Sequence, residues 1–253
     1  MSAAGDAPAA AGQDGPGRDG QAAGGLEVAG LVAGYGAAEA LRGVSLRVAA
    51  GECLLLLGRN GAGKSTTLKT VMGVLRPRTG TLRFEGRDLS ALPPHRIARA
   101  GLGWVPEDRR VFAGLSVAEN LEAGRRPGSG WDRARALALF PELEPLLRRD
   151  AARLSGGEQQ MLAIARTLMG GPRLLLLDEP SEGLAPVVLD RLAEALAALR
   201  RDGLSMLVAE GNLPFARGFA ERCAVLDRGT VAFEGPLATL LADAALRERL
   251  LSA

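Results

Sequence analysis

The residues Gly58-Arg59-Asn60-Gly61-Ala62-Gly63-Lys64-Ser65-Thr66 have the types and spacing needed to hold phosphate. They match G-x-x-x-x-G-K-[ST], follow the apolar run Cys53 to Leu57, and open a helix-like segment from Ser65 to Val74. Glycines let successive backbone N–H groups turn into one concavity, and the helix start adds its partial positive charge there. Lys64 is expected to reach the β- and γ-phosphates, and the Ser65 hydroxyl to ligate Mg2+. A glycine turn between a strand and a helix has the same letters. The correct flanks on both sides favour a nucleotide-binding loop.

A second chemical element is Leu174-Leu175-Leu176-Leu177-Asp178-Glu179-Pro180, an apolar strand ending in two carboxylates. Ligands of open α/β sheets bind at the C-terminal ends of strands. Asp178 is expected to hold Mg2+ through water, and Glu179 to orient and deprotonate an attacking water. A strand with polar ends at a turn would read the same way without the phosphate loop beside it. Upstream, Leu154-Ser155-Gly156-Gly157-Glu158-Gln159-Gln160 leads into a helix. That is either an ordinary serine N-cap or a second anion-binding end with exposed amides. Two phosphate-binding elements so far apart in sequence imply one large ligand or a dimer that shares ligands.

These residues need a scaffold, and the hydrophobic pattern supplies one. Leu26 to Val32 and Leu41 to Val48 read as strands, with Gly34-Tyr35-Gly36 between them. Further strands are expected at Gly80 to Phe84, Gly103 to Val105, Leu174 to Leu177, Ser205 to Ala209, Cys223 to Leu226 and Thr230 to Phe233. Helical segments are expected from Pro93-Pro94, at Val117 to Ala123, Trp131 to Phe140, Glu142 to Arg148, Gly157 to Met169 and Val187 to Arg201, and at the C-terminus. Alternation of strands with helices predicts a largely parallel sheet covered on both faces.

The 253 residues, 47% of them hydrophobic, are enough for a sizeable core. A net charge of +2 gives no basic field for nucleic acid. Lys64 and Lys69 are the only lysines, which suits a compact charge kept for phosphate. Cys53 and Cys223 sit in apolar runs and read as small buried hydrophobes, with a spatial pair left open. No run is long enough to span a membrane and no signal-peptide core is visible, so any membrane role is expected to pass through a partner. Residues 1–24 carry almost no large apolar group and read as a disordered tail.

Taken together, the phosphate loop, Leu154 to Gln159 and the Leu174 to Pro180 strand resemble the ATP-binding cassette (ABC) ATPases over about Leu26 to Leu251. The resemblance implies an α/β P-loop NTPase cassette over 25–253, with a mostly parallel sheet core, an N-terminal antiparallel β subdomain and a small helical insertion at about 108–153. It implies that ATP and Mg2+ are bound, and that Tyr35 stacks on adenine; a tyrosine simply packed in a strand turn is the other reading. It also implies a head-to-tail dimer, in which Ser155, Gly156, Gly157 and Glu158 of one subunit close on the γ-phosphate held by the other.

A finer resemblance rests on Val105-Pro106-Glu107, Arg109-Arg110-Val111-Phe112, Leu115 to Leu121 and Pro180 to Pro186. These are similar to the second ATPase subunit of branched-chain amino acid importers, and to its relatives in urea and amide uptake. Glu107 stands where most of the family has a glutamine sensing Mg2+ and the γ-phosphate, and Ala185 where it has aspartate; both departures are usual in that branch. The implied partners are a second ATPase subunit (a non-identical pair, or a homodimer), two permease subunits and, indirectly, a periplasmic or extracellular solute-binding protein. The implied place is the cytoplasmic face of the membrane. Phe112 and Leu115 would dock on the permease, or else pack in the core. Another transporter, a soluble ABC protein acting on ribosomes or DNA, and a weakly hydrolysing ATP-holding subunit are the rival readings.

One departure bears on turnover. The strand Ser205 to Ala209 is followed by Glu210-Gly211-Asn212, and Gly211 stands where the family has histidine or, in this branch, glutamine. Glycine has no side chain for the γ-phosphate. His95 is the only histidine and reads as a solvated surface residue. The pairs Arg109-Arg110, Arg125-Arg126 and Arg148-Arg149 read as solvated faces.

Overall fold

The hairpin at the start of the chain follows from alternation. β1 (Gly25–Tyr35) and β2 (Ala38–Ala49) pair antiparallel, with Tyr35 opposite Ala38. The alternating residues Leu26, Val28, Leu31, Leu41, Val44, Leu46 and Val48 are buried on one face. The computed structural model describes residues 25–251, and the tail expected over residues 1–24 lies outside them. β3 (Cys53–Gly58) enters the phosphate loop, and α1 (Lys64–Val71) leaves it. β4 (Thr79–Phe84) and β5 (Arg87–Asp88) complete an antiparallel sheet of order β2-β1-β4-β5. α2 (Pro94–Arg99), which carries His95 on its exposed side, leads to β6 (Leu102–Val105).

Between β6 and the next strand the chain is mainly helical. α3 (Val117–Gly124) starts at a capping box in which the Ser116 hydroxyl accepts from the Glu119 N–H and Glu119 accepts from the Ser116 N–H. The Ser116 hydroxyl also donates to Glu119 Oε2 at 2.6 Å, and this bond, with the Ser116 N–H second, holds the Glu119 carboxyl below its usual range. α4 (Arg133–Leu139) is capped by Asp132. The helix read at Glu142 to Arg148 is instead a 3-10 segment over Pro141–Leu146, with another at Ala151–Arg153. Pro141 and Pro145 explain this: neither has an N–H, and Pro145 inside an α-helix would clash with the preceding turn. α5 (Gly156–Met169) shares its apolar cluster with Val117, Leu121, Ala136, Phe140 and Leu143.

The remaining elements are β7 (Leu174–Asp178), α6 (Pro186–Arg201), β8 (Ser205–Ala209), α7 (Leu213–Ala216), β9 (Arg222–Asp227), β10 (Thr230–Pro236), α8 (Leu237–Ala242) and α9 (Ala244–Leu251). The second sheet runs β10-β9-β3-β8-β7-β6, parallel throughout except at the β10 edge. Its leucine runs are buried on both sides with a period of two. Leu54, Leu56, Leu174 and Leu176 face the core shared with α1 and the antiparallel sheet. Leu55, Leu57, Leu175 and Leu177 face the core shared with α5 and α6. A run of leucines therefore makes a central strand here, because both faces are apolar.

Cys53 and Cys223 lie on neighbouring strands as free buried thiols. Burial pushes their pKa values up to about 12 and about 11 respectively. Such thiols act as packing groups.

Candidate active site

Parallel order places the C-terminal ends of β3, β8 and β7 side by side, with Asp178 opposite Ala209 in the register. The loops that follow these strands carry the residues singled out by spacing. Together with Glu107, two residues beyond β6, they line a cavity of about 890 Å³. Gly58, Arg59, Asn60, Gly61, Gly63, Lys64, Ser65 and Thr66 form one wall, and Glu107, Glu179, Glu182, Glu210 and Gly211 the other. Ala62 is buried within the loop itself. Gly63 caps α1 with φ +112°, and a Cβ there would lie 2.8 Å from Leu41 Cδ2. Only glycine suits that conformation and that contact.

Lys64 is 7% exposed, with its ammonium lying across the loop mouth. Its Nζ donates to the Gly58 carbonyl at 2.8 Å and pairs with Glu179 Oε1 at 3.1 Å. Glu179 holds a left-handed backbone (φ +46°), uncommon for a residue with a side chain and typical of functional positions. Its N–H donates to the Ala209 carbonyl, so β8 fixes the turn in which it sits.

Asp178 is 2% exposed and accepts from the Ser65 hydroxyl at 2.8 Å. Burial raises its pKa, opposed by the Ser65 hydrogen bond and reinforced by the negative charges of Glu107 and Glu179. A hydroxyl and a carboxylate in contact, surrounded by further carboxylates, suit a hard divalent cation such as Mg2+. Among the described residues no cluster of three or more His, Cys, Asp or Glu could hold a metal alone. Mg2+ characteristically takes one or two protein oxygens and completes its shell with phosphate and water, so the donor set fits it.

Glu210 is the group the sequence reading passed over. It is 1% exposed and accepts from three backbone N–H groups: Gly211 and Asn212, both at 2.7 Å to Oε1, and Ser181 at 3.1 Å to Oε2. Burial pushes its carboxyl above the usual range, while the Asn212 N–H pulls the other way. A signal did exist, since an acid directly after a fully buried strand repeats the Leu174 to Asp178 pattern. The Gly211 N–H also lies 3.3 Å from Glu179 Oε2.

Arg109 corrects a further expectation. It is half-buried and partnered: Nε donates to Gln160 of α5 at 3.1 Å, and a terminal nitrogen donates to the Glu182 carbonyl at 3.0 Å. Its backbone is left-handed (φ +58°). Arg110, Arg125, Arg126, Arg148 and Arg149 are exposed as expected.

Not every candidate reaches the cavity. Tyr35, at the end of β1, is 52% exposed and does not line it. Ser155, Gly156, Gly157 and Glu158 also lie outside its lining. They form their own capping box at the start of α5, where the Ser155 hydroxyl accepts from the Glu158 N–H and Glu158 accepts from the Ser155 N–H. Gly157 is needed for packing, since a Cβ would lie 2.8 Å from Val188 Cγ1. Phe112 is half exposed, with the Arg166 guanidinium 4.4 Å from its ring centre.

Comparison with known proteins bears on this arrangement. The family model for ABC transporters matches residues 41–182. The chain is 42% identical over 221 residues to the high-affinity branched-chain amino acid transport ATP-binding protein BraG of Pseudomonas aeruginosa, covering 85% of this chain and 94% of that one. It is 36% identical over 228 residues to the lipopolysaccharide export system ATP-binding protein LptB of Acidithiobacillus ferridurans, covering 88% and 95%. A crystal structure of a nucleotide-free ATP-binding cassette from an ABC transporter superposes with a TM-score of 0.79 at 26% identity, over 89% of this chain and 98% of that one. Among the described residues no helix is long and apolar enough to cross a membrane. Such ATPases work with transmembrane permease subunits, and with its phosphate loop and Glu179 on one cavity this chain belongs to the ABC transporter family as an ATP-binding, ATP-hydrolysing subunit.

Proposed function

We propose that this chain drives an importer of branched-chain amino acids from the cytoplasmic face of the membrane. The phosphate-loop amides and Lys64 hold the phosphates of ATP. Ser65 and Asp178 hold Mg2+, which when bound neutralises charge on the phosphate oxygens. Glu107 reaches the same end of the site. Glu179 takes a proton from the attacking water as its oxygen bonds the γ-phosphorus and the bridging bond to ADP breaks, releasing phosphate.

The observation that carries the hydrolytic role is the Glu179 carboxylate beside Lys64 at the mouth of the phosphate loop. In this reading Tyr35 stacks on adenine, and Ser155 to Glu158 serve the site of a second ATPase subunit. Their position outside this chain's own cavity supports a shared dimer site. The exposed Phe112 ring supports docking on one of two permease subunits, with a solute-binding protein acting through them. Branched-chain substrate is favoured by Glu107 and Ala185, together with the higher identity to BraG than to LptB.

Reconstitution with the permease and second ATPase subunits in proteoliposomes tests the assignment. Leucine-loaded binding protein is expected to stimulate ATP turnover and drive uptake of labelled leucine. Stimulation by urea or short amides instead would move the assignment to that branch.

A slow site of its own is the second consequence, carried by Gly211. A Cβ added there meets nothing within 4 Å and the backbone is not left-handed, so the position itself accepts a side chain. Gly211→Gln or Gly211→His is expected to raise single-site turnover about tenfold, the worth of roughly one added polar contact to the transition state. Unchanged turnover would mean that the glycine costs this enzyme nothing.

A further inference from the structure

Glu179 has two polar partners for its carboxylate among the described contacts, Lys64 at 3.1 Å and the Gly211 N–H at 3.3 Å. When Lys64 turns to phosphate, the first of these is given up. The Gly211 N–H is then what remains to aim the carboxylate. That N–H has no freedom of its own, because Glu210 Oε1 accepts from it and from the Asn212 N–H at 2.7 Å each. The other oxygen of Glu210 accepts from the Ser181 N–H, two residues past Glu179. One buried carboxylate thus spans the loop after β7 and the loop after β8.

We propose that Glu210 is the positioning residue for the general base: it locks these two loops together so that the Gly211 main-chain N–H rests on the Glu179 carboxylate. The proposal rests on the reading of Glu179 as the base. Glu210 acts through its neighbours, with both of its oxygens taken up by main-chain N–H groups. A carboxylate suits the task because its three main-chain partners are all donors, and both its oxygens accept. A carboxamide of the same shape keeps Gly211 and Asn212 on its oxygen but turns a donor toward the Ser181 N–H.

The test uses the full chain assembled with its partner ATPase and permease, comparing wild type, Glu210→Gln, Glu210→Ala and Glu179→Gln. Glu210→Gln is expected to lower kcat about 10- to 100-fold, since small misplacements of a reacting group cost this much, with KM for ATP within about twofold. Hydrogen exchange at Ser181 is expected to rise while exchange across the phosphate loop stays the same. Glu210→Ala should extend the faster exchange to Gly211 and Asn212; should it fail to fold, the isosteric glutamine variant decides. A Glu210→Gln kcat within twofold of wild type, with Glu179→Gln inactive, overturns the positioning role and leaves Glu179 as the base. Parallel losses in kcat and ATP affinity overturn it as well, since they report a general disturbance of the cavity. Retained turnover in Glu179→Gln removes the base assignment and this proposal with it.

Discussion

Glu179→Gln abolishes ATP turnover, with a fall of at least about 100-fold, while the affinity for ATP is kept or rises. General-base catalysis is worth roughly 10²- to 10⁴-fold, and glutamine keeps the shape of the side chain without accepting the proton. The affinity prediction comes from the ion pair. Lys64 is held by Glu179 at 3.1 Å, and a nucleotide has to compete with that carboxylate for the ammonium. Removing the charge frees Lys64 and takes one negative group from a wall already carrying Glu107, Glu182 and Glu210. Steady-state turnover and titration with a fluorescent ATP analogue check both parts. Residual activity above one tenth of wild type would exclude Glu179 as the base.

Lys64→Ala has the opposite signature: binding itself is lost. A charge-assisted contact to phosphate is worth about 2 to 3 kcal/mol, so the dissociation constant for ATP rises roughly 30- to 150-fold. Lys64→Arg is not expected to restore it. The lysine is almost fully buried, between the Gly58 carbonyl and Glu179, and the larger planar guanidinium has a different geometry. The same titration reads the result. An affinity within threefold of wild type would mean that the loop amides alone hold the phosphates.

The two variants separate binding from chemistry on neighbouring side chains, and both lie at positions visible in the sequence. Gly58 to Thr66 and Leu174 to Glu179 are short motifs whose letters encode their own local geometry. The unbroken leucine runs announced central strands, and the broken alternation from Leu41 to Val48 announced a strand with one covered face. Proline had the reverse effect in the helical region. Pro141 and Pro145 stand inside an apolar pattern that reads as helix, and the missing N–H groups leave a 3-10 segment.

The side-chain partners of the site were not legible in this way. Arg109 looked like half of a solvated arginine pair, yet it bridges Gln160 and the Glu182 carbonyl, 51 and 73 residues away. Ser155 to Glu158 could be an ordinary N-cap or an anion-binding end by sequence, and where they stand relative to this chain's cavity was visible only in the fold.

By itself, then, the sequence determined the phosphate loop, the paired acids and the strands that carry them, because each depends on neighbours within about ten residues. Tertiary structure alone decided that Lys64 meets Glu179 and that Glu210 joins two loops across 29 residues. Those contacts depend on the strand order β3-β8-β7, which puts the ends of distant segments side by side. Local periodicity shows that a strand is buried; which strand lies next to it is a matter of how the whole sheet packs.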